Sequence, residues 1–366
     1  MNSLKNLILF MPSIDGGGVE KNLIIIANYL IKKFQKVTII TYDRKFISKF
    51  NKKIKIISFK KNSSGEKKYY KYFVCLVLLV REYLKEKKIL VLSFQANIYV
   101  LFLSTILNFK TIVRSNSSPT GWTKNFIKKF IFKFFFKFAS DVIVNSHEFK
   151  KLLDDEFKTK SVVIYNPLNK KEILALSKKK ITNFNFFKKN NINLINVARF
   201  TDQKDHITLL KALNNLKNKV KFNLIIMGYG ENKKSIIDFI KKNNLSKMIK
   251  VMGFNNNPYK YIRKSDFLIL TSIYEGLPNV ILEAMVLNKV VISSDCPTGP
   301  KEILKNGKYG ILFKTKSVDD LERKLVNLKS FNLYKMKKLA QKSLIRFDYQ
   351  INNHKYYNLI KKHFKN

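Results

Sequence analysis

The chain has 366 residues, 46% of them hydrophobic, which is enough for two domains with cores of their own and too apolar for a disordered chain. Its 71 lysines and arginines outnumber 25 aspartates and glutamates, a formal charge of +46, so its partner is an anion such as nucleic acid or a membrane surface, or else the charge reflects a lysine-rich proteome. The basic residues are spread out, 31 of them with 11 acidic residues in 1–168, and no helix-turn-helix, RRM or zinc signature accompanies them, so nucleic acid is not expected as a partner.

Cys75 and Cys296 have neither a CxxC partner nor metal-ligand spacing and read as free thiols of a reducing cytoplasm. The apolar stretch Leu4–Met11 is short and runs into Asp15-Gly-Gly-Gly instead of a small-residue cleavage site. The runs Tyr72–Val80 and Ile98–Leu107 fall well short of the ~20 residues of a spanning helix. The chain is expected in the cytoplasm, resting on the inner face of a membrane without crossing it.

Residues 5–11 read as a first strand. Asp15-Gly16-Gly17-Gly18-Val19-Glu20-Lys21 then forms a glycine turn into a helix over Asn22–Phe34, and Lys36–Tyr42 is the next strand. This order is a Rossmann-like unit, although consecutive glycines are not the dinucleotide fingerprint. The bland alternative is a turn that needs glycine only for positive φ. Strands follow at 54–59, Ile89–Ser93, Thr111–Arg114, Asp141–Ser146 and Val162–Tyr165, with a helix at Tyr70–Lys87. Arg114-Ser-Asn-Ser-Ser-Pro-Thr-Gly-Trp122 is a loop at a strand end, where Arg114 either meets an acceptor phosphate or closes a salt bridge.

Thr123–Ala139 is unusual for its phenylalanines and lysines. At 100° per residue Ile127, Phe130, Ile131, Phe134, Phe135 and Phe138 share one face, which is what core packing requires. Phe132 and Phe136 are then surplus, and with Lys129 and Lys133 they have the composition of an interfacial membrane contact. The alternative is a helix covered on all sides. Residues 169–190 are rich in lysine and asparagine, with a short helix at Lys171–Ser177, and read as an interdomain connection.

The pattern restarts at strand Asn193–Val197. The loop Ala198-Arg199-Phe200-Thr201-Asp202-Gln203-Lys204-Asp205 brings two cations to a strand end beside the start of a helix, His206–Leu216, which together suit a diphosphate. Strand Phe222–Met227 ends in Gly228-Tyr229-Gly230, and Ile249–Met252 in Gly253-Phe254. Phe267–Leu270 is a buried parallel strand, Glu275-Gly276-Leu277-Pro278-Asn279 a tight loop, and Val280 onward a helix. Free N–H groups and the helix dipole make that start an anion site. Glu275 and Glu283 beside it would repel phosphate, so sugar and ribose hydroxyls are their natural partners. Val290–Ser293, the loop Asp295–Ile303, a strand at Gly310–Phe313 and two further helices complete the half, with a last helix at about 350–363.

Glu275-Gly-Leu-Pro-Asn-Val-Ile-Leu-Glu283 resembles the two-glutamate signature of the retaining glycosyltransferases of family 4, glycosyltransferase group 1, of the type that builds bacterial surface and lipid-linked glycans. The resemblance is strong over 193–313 and weaker over 1–168. It implies an α/β GT-B fold, two facing Rossmann-like domains with parallel sheets: 1–168 for the acceptor, 169–190 as connection, 191–345 for the donor, and 346–366 as a helix crossing back to the first domain. It implies sugar transfer from a nucleotide-sugar, UDP-linked for preference, to a glycolipid or polyprenyl-diphosphate saccharide, with no metal or other cofactor.

By that likeness Arg199 and Lys204 bind the donor diphosphate and Glu275 the donor sugar. Glu283, Gly276, Leu277, Pro278, Asn279, Val280, Gly228 and Phe254 complete the donor site, and Gly17, Gly18, Glu20, Arg114 and Asn116 line the acceptor side. Ala198 stands where such proteins carry glycine, and their acceptor-loop histidine is absent, with Asn116 near its place. The rival readings are a basic protein of this fold without catalysis, and a phosphorylase or epimerase.

Overall fold

A computed structural model describes residues 6–14, 16–44, 46–60, 65–116, 126–182 and 184–365. They divide into two compact units, Met1–Pro167 with Tyr349–Asn366, and Leu168–Asp348.

The first unit runs β1 (Asn6–Phe10), α1 (Gly18–Leu30), β2 (Val37–Thr41), β3 (Lys55–Ser58), α2 (Lys68–Lys85), β4 (Ile89–Ser93), α3 (Asn97–Leu107), β5 (Lys110–Arg114), α4 (Phe126–Phe136), β6 (Asp141–Val144), α5 (His147–Phe157) and β7 (Ser161–Val163). The strands form one sheet in the order β3-β2-β1-β4-β5-β6-β7, with every pairing parallel. Strands such as Ile-Leu-Val-Leu in β4 are apolar at successive positions because helices cover both faces of the sheet. Period-two alternation sends Leu7 and Leu9 toward α1, and Ile8 and Phe10 toward α2 and α3.

The second unit runs α6 (Lys170–Ser177), β8 (Ile192–Val197), α7 (His206–Leu216), β9 (Phe222–Met227), α8 (Lys233–Lys242), β10 (Ile249–Met252), α9 (Tyr259–Lys264), β11 (Phe267–Leu270), α10 (Asn279–Val286), β12 (Val290–Ser294), α11 (Pro300–Ile303), β13 (Ile311–Phe313), α12 (Val318–Val326) and α13 (Leu333–Ser343). Its parallel sheet has the order β10-β9-β8-β11-β12-β13. In each sheet the first strand, β1 or β8, has its successor on one side and a later strand on the other. Loops leaving such a switch point diverge and open a crevice at the strands' carboxyl ends. The two Rossmann-like parallel sheets expected of the GT-B fold are present.

The last helix, α14 (Tyr349–Lys365), belongs to the first unit, where Tyr356, Leu359 and Ile360 pack with the α1 side chains. Arg114 fastens it. Its Nε donates to the Tyr356 hydroxyl at 2.8 Å and its Nη2 to Asn166 Oδ1 at 2.6 Å. Arg114 is 1% exposed and stacks over Phe94 at 5.6 Å. Among the described residues its partners are a phenol and an amide and no carboxylate, so an internal tie stands where a salt bridge was the alternative, and its burial leaves little room for an acceptor phosphate. Residues 117–122 of its loop lie outside the described residues.

Residues 169–190 are the stretch read in sequence as the interdomain connection. They belong to the second unit, where α6 packs on α9 and α10, and the Asn257 side-chain amide donates to Leu176 O at 2.8 Å.

The largest departure is in α4. Phe136 is buried, and Phe132, Phe135 and Ala139 pack with it against Phe149, Leu153 and Phe157 of α5. Phe136 and Phe132 lie 5.8 and 6.4 Å from the Phe157 ring. The face expected in the core is outside: Ile127, Phe130, Ile131, Phe134 and Phe138 are all exposed. Phe132 and Phe136 are core residues and not a membrane contact, and Lys129 pairs with Glu156 at 2.9 Å. Residues 123–125 of the expected helix lie outside the described residues.

Candidate functional site

The second sheet's switch point lies between β8 and β11, and the loops leaving these strands are laced together. Gln203 Nε2 donates to Tyr274 O at 2.8 Å, the Ile273 N–H donates to Gln203 O at 2.8 Å, and Thr271 Oγ1 donates to Lys204 O at 2.9 Å. The β8 loop is short because Asp205, at φ 44°, caps α7: its carboxylate accepts from Thr208 N and Thr208 Oγ1.

This lacing brings Lys204 and Glu275 together, 71 positions apart in sequence. The Lys204 ammonium donates to Glu275 Oε1, and Ser272 Oγ donates to the same oxygen at 2.6 Å. Both side chains of the ion pair are largely buried, so removing either partner strands a charge away from water. Thr298 Oγ1 donates to the Glu275 carbonyl at 2.5 Å, tying in the loop after β12. Arg199, by contrast, stands exposed at the end of β8.

Glycines let these loops approach. A Cβ on Gly228 would lie 1.8 Å from Ala198 O, so Gly228 serves the packing of the β9 end on the β8 loop. Gly299, at φ +77°, would place a Cβ 1.8 Å from Gly276 O and 2.9 Å from Pro278 Cδ. We expect Gly299→Ala to lower stability by about 2–4 kcal/mol, from overpacking and backbone strain together, and to shift the Glu275 loop. Gly65→Ala, at φ +75° with no atom of the described residues within 4 Å of the added Cβ, carries the backbone strain alone. Thermal unfolding of both variants checks this; equal losses would mean that the contact with Gly276 is relaxed.

Gly276, Leu277 and Pro278 are buried, Asn279 opens α10, and Val280 is half-buried. Glu283, one turn on and 4% exposed, accepts from the Tyr259 hydroxyl at 3.1 Å. Phe254 is 44% exposed and meets Tyr229 edge to face at 5.6 Å, so two rings sit at the ends of β9 and β10. In the first unit Gly17 is the N-cap of α1, and a Cβ on it would meet Glu20 Oε2 at 2.7 Å. Gly18 is exposed and Glu20 buried, while it is Gly16 that takes positive φ, +85°. Asn116 donates to Phe94 O at 2.7 Å across the ends of β4 and β5. Ser272, Thr298, Tyr259 and Tyr229 are the site's additions to the residues found in sequence.

His206 opens α7 beneath Lys204. It is 3% exposed, its Nε2 lies 3.1 Å from Asn196 Oδ1, and burial, then the nearby Lys204 charge, lower its pKa from 6.5 to about 4. The folded protein holds it neutral while the unfolded chain protonates it below about 6.5. The resulting stability is complete above the unfolded value and declines as pH falls from there toward about 4, by about 3 kcal/mol in all. His206→Gln should flatten the pH dependence of urea unfolding by that amount. Parallel curves for the two proteins would contradict it. Burial pushes the Cys75 and Cys296 thiols up to about 12, so neither is poised as a nucleophile.

The chain is similar to known proteins. Residues 177–343 match the family described as glycosyl transferases group 1. That stretch, less than half of the chain, is similar to the family. It includes every donor-side residue named above.

An uncharacterized glycosyltransferase, MJ1059, of Methanocaldococcus jannaschii is 34% identical over 48% of this chain and 48% of its own length. N-acetylgalactosamine-N,N'-diacetylbacillosaminyl-diphospho-undecaprenol 4-alpha-N-acetylgalactosaminyltransferase of Campylobacter jejuni is 34% identical over 32% of each. The chain thus spans about half the length of these curated relatives or less. Among solved structures, a glycosyltransferase from Rickettsia africae superposes with a TM-score of 0.78 over 99% of both chains at 21% identity. Anabaena HepE in complex with UDP superposes with a TM-score of 0.77 over 98% of this chain and 100% of its own, at 18% identity. The fold shared with these two structures therefore extends over nearly the whole chain.

Proposed function

We propose that the protein is a metal-independent retaining glycosyltransferase. It moves a sugar, a hexose or N-acetylhexosamine, from a UDP-sugar to a lipid-linked or other membrane-associated glycan in cell-surface polysaccharide biosynthesis, working at the cytoplasmic face of the membrane. The observation that carries this reading is Glu275, held by Ser272 and Lys204 where the loops of β8 and β11 meet α10.

A carboxylate fixed beside a helix start suits a ligand that joins hydroxyls to phosphates. Glu275 would hold the donor sugar's hydroxyls and Glu283, beside Tyr259, the ribose. Arg199, Lys204 and the α10 start supply positive charge for the leaving diphosphate, the part a metal ion plays elsewhere. In the reaction the bond from the anomeric carbon to the phosphate oxygen breaks. The acceptor oxygen bonds to that carbon on the same face, and the departing phosphate takes the acceptor's proton. The exposed rings of Tyr229 and Phe254 suit a nucleobase.

The choice of UDP and of a lipid-linked acceptor is supported by the UDP bound to the Anabaena neighbour and by the undecaprenol-linked substrate in the Campylobacter relative's name. The test is transfer from a panel of UDP-sugars to lipid-linked saccharides in the presence of a chelator, with the anomeric configuration of the product read by NMR. An inverted product, or transfer that stops with the chelator, would overturn the mechanism.

A further inference from the structure

The first unit carries an apolar surface that the chemistry above does not use. On α2 the stripe Tyr69, Phe73 and Val77 is exposed, at 69%, 65% and 51%. On α3 the stripe Tyr99, Phe102 and Ile106 is exposed, and on α4 it is Phe130 and Phe134, continued by Phe138 in the turn just after the helix. The spacings of four, or of three and four, put each set on one side of its helix. The three stripes adjoin. The rings of Tyr72 and Tyr99 lie 6.1 Å apart between α2 and α3, and those of Phe102 and Phe135 6.0 Å apart between α3 and α4. All three helices cover the same side of the sheet, the side of Ile8, Phe10 and Val113.

A solvent-facing helix ordinarily shows charge on its outer face. The 11 residues of α3 include no charged side chain at all, and α4 has lysines but no acidic residue. Exposed cations flank the rings: Lys67, Lys68 and Arg81 along α2, and Lys128 and Lys137 at α4. An apolar patch of this extent, rimmed by cations, is a docking surface.

We propose that this α2–α3–α4 face rests on an anionic lipid bilayer, with the aromatic rings at the level of the headgroups and the lysines against lipid phosphates. Charge decides the occupant. A second copy of this chain would set two lysine-rimmed faces of a +46 protein against each other, whereas anionic headgroups complement the rim and acyl chains the rings. The surface deepens the membrane-side reading of the function, yet it stands on residues outside the donor site.

The test is flotation of the purified protein with two kinds of vesicle, phosphatidylcholine alone and phosphatidylcholine with about 30% phosphatidylglycerol. Wild type should float with the anionic vesicles and weakly or not at all with the neutral ones. The triple variant F73S/F102S/F130S should lose about a hundredfold in vesicle binding, each ring contributing about fivefold. These side chains are exposed, so folding is preserved, which circular dichroism and UDP binding verify. Unchanged flotation of the triple variant would overturn the proposal. So would a wild-type dimer that the substitutions dissociate while vesicle binding stays absent, since that assigns the face to a second copy. Loss of flotation with UDP binding intact supports the surface; a wild type that floats without binding UDP would sink the donor reading and leave the surface standing.

Discussion

Glu275→Gln should lower sugar transfer by about a hundredfold to a thousandfold while nucleotide affinity changes little. The substitution keeps the side chain's volume and the Ser272 hydrogen bond but removes the negative charge. If Glu275 holds sugar hydroxyls while the bond to phosphate breaks, its charge matters most as positive character grows on the sugar, and the loss falls on kcat. The nucleotide contacts proposed for Arg199, Glu283 and the α10 start are untouched. Both variants leave the Lys204 charge without its counter-charge in a largely buried place, a change of about 3–5 kcal/mol in stability for such pairs; Glu275→Ala is the less informative because it also removes the oxygen that accepts from Lys204 and Ser272. A glutamine variant with wild-type kcat would remove Glu275 from the chemistry.

Arg199→Ala should weaken UDP binding about tenfold or more, with uridine affinity unchanged. A hydrogen bond to an ionised group is worth about 1.5–3 kcal/mol, and Arg199 is exposed at the strand end and, among the described residues, has no ion pair like the one that holds Lys204. Adding Lys204→Ala should take the total to about a hundredfold, accompanied by a fall in thermal stability because Glu275 is then buried without its cation. The ratio of UDP to uridine affinity separates the two effects: a structural collapse lowers both, and loss of a diphosphate contact lowers only the first. Equal affinity of Arg199→Ala and wild type for UDP would remove Arg199 from the site.

The second unit was legible in sequence because its signals are local. A strand, a Gly-Leu-Pro turn and a helix follow one another within 267–286, and His206–Leu216, Phe222–Met227 and Ile249–Met252 form at the residues their apolar patterns indicate. What escaped is long-range or directionless. The tie between Arg114 and Tyr356 spans 242 positions, and nothing near Arg114 announces a phenol. The helix α3 is apolar at nearly every position, so it has no period to read.

In α4 the sequence offers two apolar faces, and periodicity counts side chains without saying which face meets the sheet. Phe149, Leu153 and Phe157 of α5 decide it, by packing with Phe132, Phe135 and Phe136. Ser272 and Thr298 were unremarkable in sequence because they act through Glu275, the first on its carboxylate and the second on its carbonyl.

The measurement that bears most directly on the function is calorimetric titration of the purified protein with UDP, GDP and ADP. Binding of UDP with a dissociation constant of about 1–100 μM, at least tenfold tighter than the other two and lost in Arg199→Ala with Lys204→Ala, is the predicted result. No binding of any nucleotide, together with tight salt-sensitive binding of nucleic acid, would contradict it and assign the +46 charge the leading role in what the protein does.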